Sequence, residues 1–165
     1  MRLAGRIWRD GRFWLAELPM LDAMTQGRTR PEAFRMLADL VETMADKKGF
    51  RVRLYPTLRG AFEIASDDAG TLVAVMLRRQ REKHGLSLSA VARRLGARSK
   101  TAYARYEQGR SVPTVEKLFE LLAAVAPSED FVLQESPLPV PRPNRGGWKT
   151  CSRGHKYRGT RGCPV

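Results

Sequence analysis

Three side chains near the end of the 165-residue chain are of types that bind zinc: Cys151, His155 and Cys163. Thiolate and imidazole are preferred zinc ligands, and a structural site takes four of them. The spacing therefore predicts a zinc site whose fourth ligand comes from water or a second chain. The alternative is a basic tail without metal, because residues 136–165 carry seven Lys and Arg and no Asp or Glu. The two cysteines are the only ones, so no disulfide framework holds the main body together.

Carboxylates that could hydrolyse a phosphodiester are a second candidate chemistry. Metal-assisted hydrolysis needs several carboxylates that converge on the metal ions. The acidic residues near the apolar runs of the first half instead sit mostly in or beside turns, without a repeating spacing, and we interpret them as surface residues: Asp10, Glu17, Asp22 and Glu63. His84 is typical of a cation at a helix end. We therefore predict that the chain is not an enzyme, and that zinc in the tail is the sole candidate cofactor.

The charge balance points to a polyanionic partner. The chain has 30 Lys and Arg against 17 Asp and Glu, a formal charge of +13, which favours nucleic acid. No apolar stretch approaches the roughly 18 to 20 residues that span a bilayer, and Arg2, Arg6 and Arg9 interrupt the first nine positions where a signal peptide would need an apolar core. These features predict a cytoplasmic protein without a membrane partner.

The first segment has the pattern of strands around a single helix. Apolar runs from Leu3 to Trp8 and from Phe13 to Glu17 flank Asp10-Gly11, a dipeptide favoured in tight hairpins. Alternating or extended stretches predict three more strands, and an apolar stripe at three- and four-residue intervals predicts one helix. The strands fall near residues 23–26, 50–54 and 61–65, and the helix runs from Thr29 to Lys48.

The second segment predicts four helices: residues 72–83, 87–95, 99–108 and 114–125. Helix-turn-helix units need a small residue where two helices approach, a glycine in the turn and apolar anchors in the second helix. Ala92, Gly96, Tyr103 and Tyr106 fill these roles. The spacing therefore predicts a DNA-binding helix-turn-helix.

Around this unit, Arg81, Gly85-Leu86-Ser87-Leu88, Ala92-Arg93-Arg94-Leu95-Gly96 and Tyr106-Glu107-Gln108-Gly109 resemble the Cro/C1-type (Xre-like) regulators. That resemblance implies an ion pair between Arg81 and Glu107. It also implies a set of residues that face DNA: Ser99, Lys100, Thr101, Ala104 and Arg105. Leu88 stands where the family often has a phosphate-contacting Gln.

Taken together, Trp14-Leu15, Leu18-Pro19, Thr25-Gln26-Gly27-Arg28-Thr29, Glu32-Ala33 and the helix-turn-helix resemble the HicB-type antitoxins. The resemblance implies an α+β fold with three parts. Residues 1–68 would form a partial RNase H-like β-β-β-α-β domain that binds a toxin, and residues 71–133 an all-α, Cro/C1-type DNA-binding domain. Residues 136–165 would be an irregular tail, a Pro-rich linker followed by a basic Cys/His segment that resembles an incomplete zinc ribbon.

Two functions follow as alternatives. In the first, the protein is a type II antitoxin that neutralises a HicA-type mRNA-cleaving toxin and represses its own operon by binding operator DNA as a homodimer or higher homo-oligomer. In the second, it is a stand-alone helix-turn-helix regulator whose N-terminal domain senses a small ligand or mediates oligomerisation. A small basic reading frame beside the gene would favour the antitoxin.

Overall fold

A computed structural model of the protein describes residues 1–57, 60–132, 134–135, 149–150 and 156–157. Residues 1–132 form one compact unit and residues 133–165 a second. Within the second unit, the described backbone is mainly a short antiparallel pair in which Lys149–Thr150 faces Lys156–Tyr157. The predicted zinc ligands Cys151, His155 and Cys163 and the proline-rich linker lie outside the described residues.

The first half of the compact unit is a five-stranded antiparallel sheet with the order β3-β2-β1-β5-β4. Its strands are β1 (Leu3–Asp10), β2 (Phe13–Leu18), β3 (Ala23–Gly27), β4 (Arg53–Pro56) and β5 (Ala61–Ala65). The predicted hairpin joins β1 to β2, but Asp10 pairs with Phe13, so the turn is Gly11-Arg12. Gly11 takes a positive φ of 54°, a conformation that favours glycine. The RNase H-like relation of this sheet stays a prediction.

Helix α1 (Arg30–Ala45) packs against one face of the sheet. Its start is a capping box: the Thr29 hydroxyl accepts from the Glu32 amide at 3.3 Å, and the Glu32 carboxylate accepts from the Arg28 amide at 2.8 Å. Ala33, Leu37 and Val41 form its buried stripe. The sequence predicted the start of this helix and its apolar period, but the helix ends at Ala45, three residues before the predicted Lys48, because Asp46 takes a left-handed conformation with a φ of 46°.

The second half is helical. It contains α2 (Ala69–Lys83), α3 (Leu88–Arg94), α4 (Lys100–Glu107) and α5 (Val115–Val125). Each begins with a side-chain cap, from Asp68, Ser87, Ser99 and Thr114 in turn. Helix α2 begins three residues earlier than predicted, because the Asp68 carboxylate accepts from the Thr71 amide at 3.0 Å. None of the described helices is long and apolar enough to cross a membrane.

Helix α2 belongs to both halves of the unit. Its residues 71–77 are all buried, although a helix on the surface of one domain buries only a stripe. It contacts α4 and α5 as well as α1 and the short 3-10 helix Pro19–Leu21 that follows β2. The buried side chains form one cluster that extends from Leu3 to Ala126. The fold is α+β, as predicted, and its core is continuous.

The last turns of α2 hold the sheet half by polar contacts. The Arg79 guanidinium donates from Nε to the Leu21 carbonyl at 3.0 Å, and the Gln80 amide donates to the Met20 carbonyl at 2.9 Å. The Arg78 guanidinium donates to the carbonyl of Met44, near the end of α1. The Gln80 side chain is fully buried. Consecutive residues of one helix thus fix two separate parts of the sheet half.

Candidate nucleic-acid interface

The turn between α3 and α4 sets the direction of the second helix. Gly96 has a positive φ of 66°, and the Ala97 amide donates to the Ala92 carbonyl at 2.9 Å, which closes the end of α3. The Ser99 hydroxyl then accepts from the Thr101 amide at 3.2 Å and starts α4. Ala92 is buried in the helical core. These residues occupy the places that the helix-turn-helix spacing assigns to them.

The inner side of α4 is anchored by an aromatic residue. Tyr103 is 1% exposed and is among the largest fully buried side chains. Burial, together with the nearby Glu107 carboxylate, raises the pKa of the Tyr103 phenol, so it stays neutral at physiological pH. Tyr106 is half-buried and packs against the same core. Both tyrosines face inward, which leaves the opposite side of α4 to solvent.

An ion pair ties α4 to α2. Arg81 donates to the Glu107 carboxylate from Nε at 2.7 Å and from Nη2 at 2.9 Å. Its Nη1 donates to the Leu86 carbonyl at 2.9 Å, in the loop that leads to α3. The Arg81 and Glu107 side chains are only 15% and 6% exposed. A bidentate pair of this kind fixes orientation as well as distance, so it holds α2, α4 and the intervening loop in one arrangement.

The outer side of α4 borders an open groove of about 560 Å³. Four of the five residues predicted to face DNA line it, while Ser99 is exposed and serves as the cap. The groove is lined by Leu88, Lys100, Thr101, Ala104, Arg105, Gln108 and Arg110. The side chains thus present cations, a hydroxyl, an amide and small apolar groups on one surface.

The positive charge of this groove is not neutralised within the described part of the chain. The side chains of Lys100, Arg105 and Arg110 are exposed, and none of the three makes an ion pair with a described residue. Arg81, in contrast, is bound to Glu107, and Arg94 donates to the Ala124 carbonyl at 3.0 Å. The chain therefore separates structural arginines from cations that are available to an anionic ligand.

Sequence reasoning missed three residues of the groove: Leu88, Gln108 and Arg110. Gln108 and Arg110 flank Gly109, which directly follows the predicted helix 99–108. Gly109 takes a positive φ of 66° and the Arg110 amide donates to the Arg105 carbonyl at 2.9 Å, which turns the chain back beside α4. Arg110 is a cation two residues after the predicted end of the helix at residue 108. That charge is the signal that could have indicated its place in the groove.

The other candidate residues of the sequence lie apart from this groove. Three of the four acids interpreted as surface residues are held in ion pairs: Glu17 with Arg6, Asp22 with Arg79 and Glu63 with Arg2. Asp10 and Asp22 are exposed as predicted, but Glu17 and Glu63 lie within β2 and β5 and are half-buried. His84 lies 3.4 Å from Glu129, near the end of α2. Among the described residues, no group of three or more His, Cys, Asp or Glu is placed to hold a metal ion. The zinc prediction concerns residues outside that part.

Comparison with known proteins assigns the helical half. Residues 72–130 match the model of a family described as a helix-turn-helix domain. No curated protein matches the chain. The matched range runs from α2 past the end of α5 and includes the groove beside α4. The chain therefore contains a DNA-binding helix-turn-helix domain, as the spacing of Ala92, Gly96 and Tyr103 predicted.

Proposed function

We propose that the protein is an antitoxin that represses its own operon by sequence-specific binding to operator DNA and neutralises a HicA-type toxin through its sheet half. The observation that carries the DNA-binding part is the groove beside α4. There, three exposed cations that have no ion-pair partner among the described residues lie around polar and apolar side chains. A helix with such an outer face fits the major groove of B-DNA.

Five of the seven groove residues lie on α4 or at its end and carry side chains that suit a base edge. Lys100 and Arg105 can donate to guanine O6 and N7, and Thr101 can serve as donor or acceptor. Ala104 can contact the methyl group of thymine, and the Gln108 amide can pair with adenine N6 and N7. In our proposal the residues at the start of α4 contact the bases. The residues toward its end contact the edge of the operator site.

The test replaces the two cations of α4. The variant Lys100→Ala/Arg105→Ala should weaken binding to the upstream region of the gene by about 1–3 kcal/mol for each side chain that reads a base. Gel shifts at fixed salt measure this. A matched control, Arg35→Ala/Lys48→Ala, removes the same two charges from exposed positions on and just after α1. Equal losses of DNA affinity in both double variants would mean that α4 contributes only sequence-independent attraction to phosphate.

The antitoxin part rests on the face of the sheet opposite α1. Alternate residues of the strands point to this face and leave large apolar side chains half-buried or exposed: Trp8, Phe13, Leu15, Met24 and Tyr55. Arginines lie over two of the rings, Arg2 over Tyr55 at 4.2 Å and Arg6 over Trp8 at 5.4 Å. Aromatic residues, Met and Arg are the types enriched in protein interfaces, which supports a protein partner for this face.

Co-expression with the product of the neighbouring gene tests this part. Tagged full-length protein should retain that product, and Phe13→Glu/Met24→Glu should release it and abolish growth rescue. Met36→Glu, at an exposed position on α1, is the matched control. The variant Lys100→Ala/Arg105→Ala should still rescue growth while losing repression. Retention of the partner by Phe13→Glu/Met24→Glu would contradict the proposed face.

One observation favours the alternative of a regulator that senses a small ligand. A polar cleft of about 210 Å³ lies where the end of α1 meets α2 and the end of α4. The cleft is lined by Lys47, just after α1, and by Arg78 on α2. Glu107 and Gln108 line it from the end of α4. The ligand-sensing regulator becomes the better account if the tagged protein retains no product of the neighbouring gene and a small anionic metabolite changes its affinity for DNA.

A further inference from the structure

Leu88 is a large apolar side chain on a surface that is otherwise rich in cations. It is the first residue of α3, and it lines the groove beside α4 together with Lys100, Arg105 and Arg110. Its side chain is half-buried and packs against the hydrophobic core. Because a close-packed core allows little movement, Leu88 presents its uncovered side to the groove from a fixed position.

Two residues of α4 extend this apolar surface. Thr101, Ala104 and Gln108 are spaced three and four residues apart, so they share the side of α4 that lines the groove. Ala104 is half-buried and offers a single methyl group, while Thr101 is exposed and offers a methyl group beside its hydroxyl. We call Leu88, Ala104 and the methyl group of Thr101 the apolar patch. It is built from both helices of the helix-turn-helix.

An apolar patch distinguishes between the groups that B-DNA presents in its major groove. The C5 methyl group of thymine is the apolar group there, whereas the other base edges carry hydrogen-bond donors and acceptors. Covering a donor or acceptor with Leu88 removes its water and gives no hydrogen bond in return, which is unfavourable. Covering a methyl group removes apolar surface from water, which is favourable. The patch therefore favours thymine and also disfavours guanine and cytosine.

We propose that the apolar patch binds the C5 methyl group of one thymine in each operator half-site, and that Leu88 determines this preference. The inference rests on the proposed reading of bases by α4. It goes further in two respects, because it assigns a base contact to a residue of α3 and it names the base. The cations Lys100, Arg105 and Arg110 then hold the phosphates and polar base edges that surround this thymine.

Uracil substitution tests the contact on a duplex that the full chain selects from random DNA. Deoxyuridine replaces each thymine of this duplex in turn, since uracil lacks the C5 methyl group and keeps every hydrogen-bonding group of thymine. The wild-type protein should lose affinity about fourfold at one thymine in each half-site, the factor expected for one buried methyl group. It should tolerate uracil at the remaining thymines.

Variants of the full chain then identify the residue that contacts the methyl group. Leu88→Gln, of similar size but with a polar end, should bind the thymine and uracil duplexes equally, while Leu88→Met should keep the preference. Arg110→Ala is the matched control in the same groove, and it should weaken binding to both duplexes by the same factor. Ala104→Ser, which places a hydroxyl in the patch, should also reduce the preference. Circular dichroism verifies that every variant is folded.

The outcomes separate this inference from the proposed function. If the wild-type protein selects no sequence from random DNA, the proposed reading of bases fails and the inference fails with it. If it selects a sequence in which every thymine tolerates uracil, the reading of bases stands and the inference is overturned. A thymine preference that persists in Leu88→Gln and in Ala104→Ser also overturns it, because the methyl group is then bound elsewhere and Leu88 serves only to pack α3 against the core.

Discussion

Replacing Glu107 with glutamine should cost a large share of the protein's stability. The Glu107 carboxylate accepts two hydrogen bonds from Arg81, at 2.7 Å and 2.9 Å, and both side chains are largely buried. Removing one partner of a buried ion pair typically costs about 3–5 kcal/mol, because the remaining charge loses its compensation. Glutamine keeps the shape and one acceptor, so we expect a loss of about 3 kcal/mol, against a total of about 5–15 kcal/mol for a domain.

Urea unfolding followed by the helical circular dichroism signal measures this loss. The control is Glu116→Gln, which removes the same charge from an exposed position of α5 and should change the free energy of unfolding by less than about 0.5 kcal/mol. The double variant Arg81→Met/Glu107→Met should be more stable than Glu107→Gln, because it leaves no uncompensated charge. A Glu107→Gln variant as stable as the Glu116→Gln control would refute the structural role of this pair.

Three further predictions concern a cap, a junction and the tail. Bonding to Lys47 and to Thr71 lowers the pKa of Asp68 to about 2, so the stabilisation by its carboxylate is complete above the ordinary carboxyl pKa and is lost as the pH falls through about 2. Asp68→Asn keeps an oxygen that caps α2 and loses the largely exposed ion pair with Lys47, so it should cost no more than about 1 kcal/mol near neutrality. The difference from wild type should shrink between about pH 5 and pH 2 in urea titrations. Gln80→Leu should lower the free energy of unfolding by about 1–3 kcal/mol. In wild type, the fluorescence of the sheet's tryptophans and the helical circular dichroism signal should change in one unfolding transition. Separate transitions would refute the shared core. Zinc content measured by mass spectrometry should fall in Cys151→Ser/Cys163→Ser, and equal metal in wild type and variant would exclude the tail site.

Sequence signals that act over a few residues predicted most of the helix and strand positions. The caps Thr29, Ser87, Ser99 and Thr114 and the glycines that end helices act over three or four residues, a range in which a single sequence carries the full physical cause. The helix-turn-helix followed from the same kind of signal, because its turn and anchors lie within a span of about 15 residues. Such elements are predictable before any tertiary contact is considered.

Contacts between distant segments were beyond the same rules. Residues 71–77 are apolar except for Thr71, which predicts burial on every side of the helix, but the pattern does not say which segment covers the second face. The partners of Arg79 and Gln80 are carbonyls of Leu21 and Met20, about 60 residues away. The end of α4 was predicted to within one residue, but the place of Arg110 in the DNA-facing groove was missed. Long-range packing decides what covers α2, and periodicity does not report it. The place of Arg110 depends instead on the local turn at Gly109.

The order of strands in the sheet has a consequence for synthesis on the ribosome. Strand β1 lies between β2 and β5 in the sheet, and α2 completes the core beneath the sheet. The first residues synthesised therefore wait for partners that follow some 60 to 80 residues later in the chain. At about 5–20 residues per second this interval lasts several seconds. Throughout it, the nascent hairpin exposes apolar side chains such as Ile7 and Leu18 that are buried in the finished protein. Until α2 is made, the emerging chain therefore exposes apolar surface of the kind that favours aggregation.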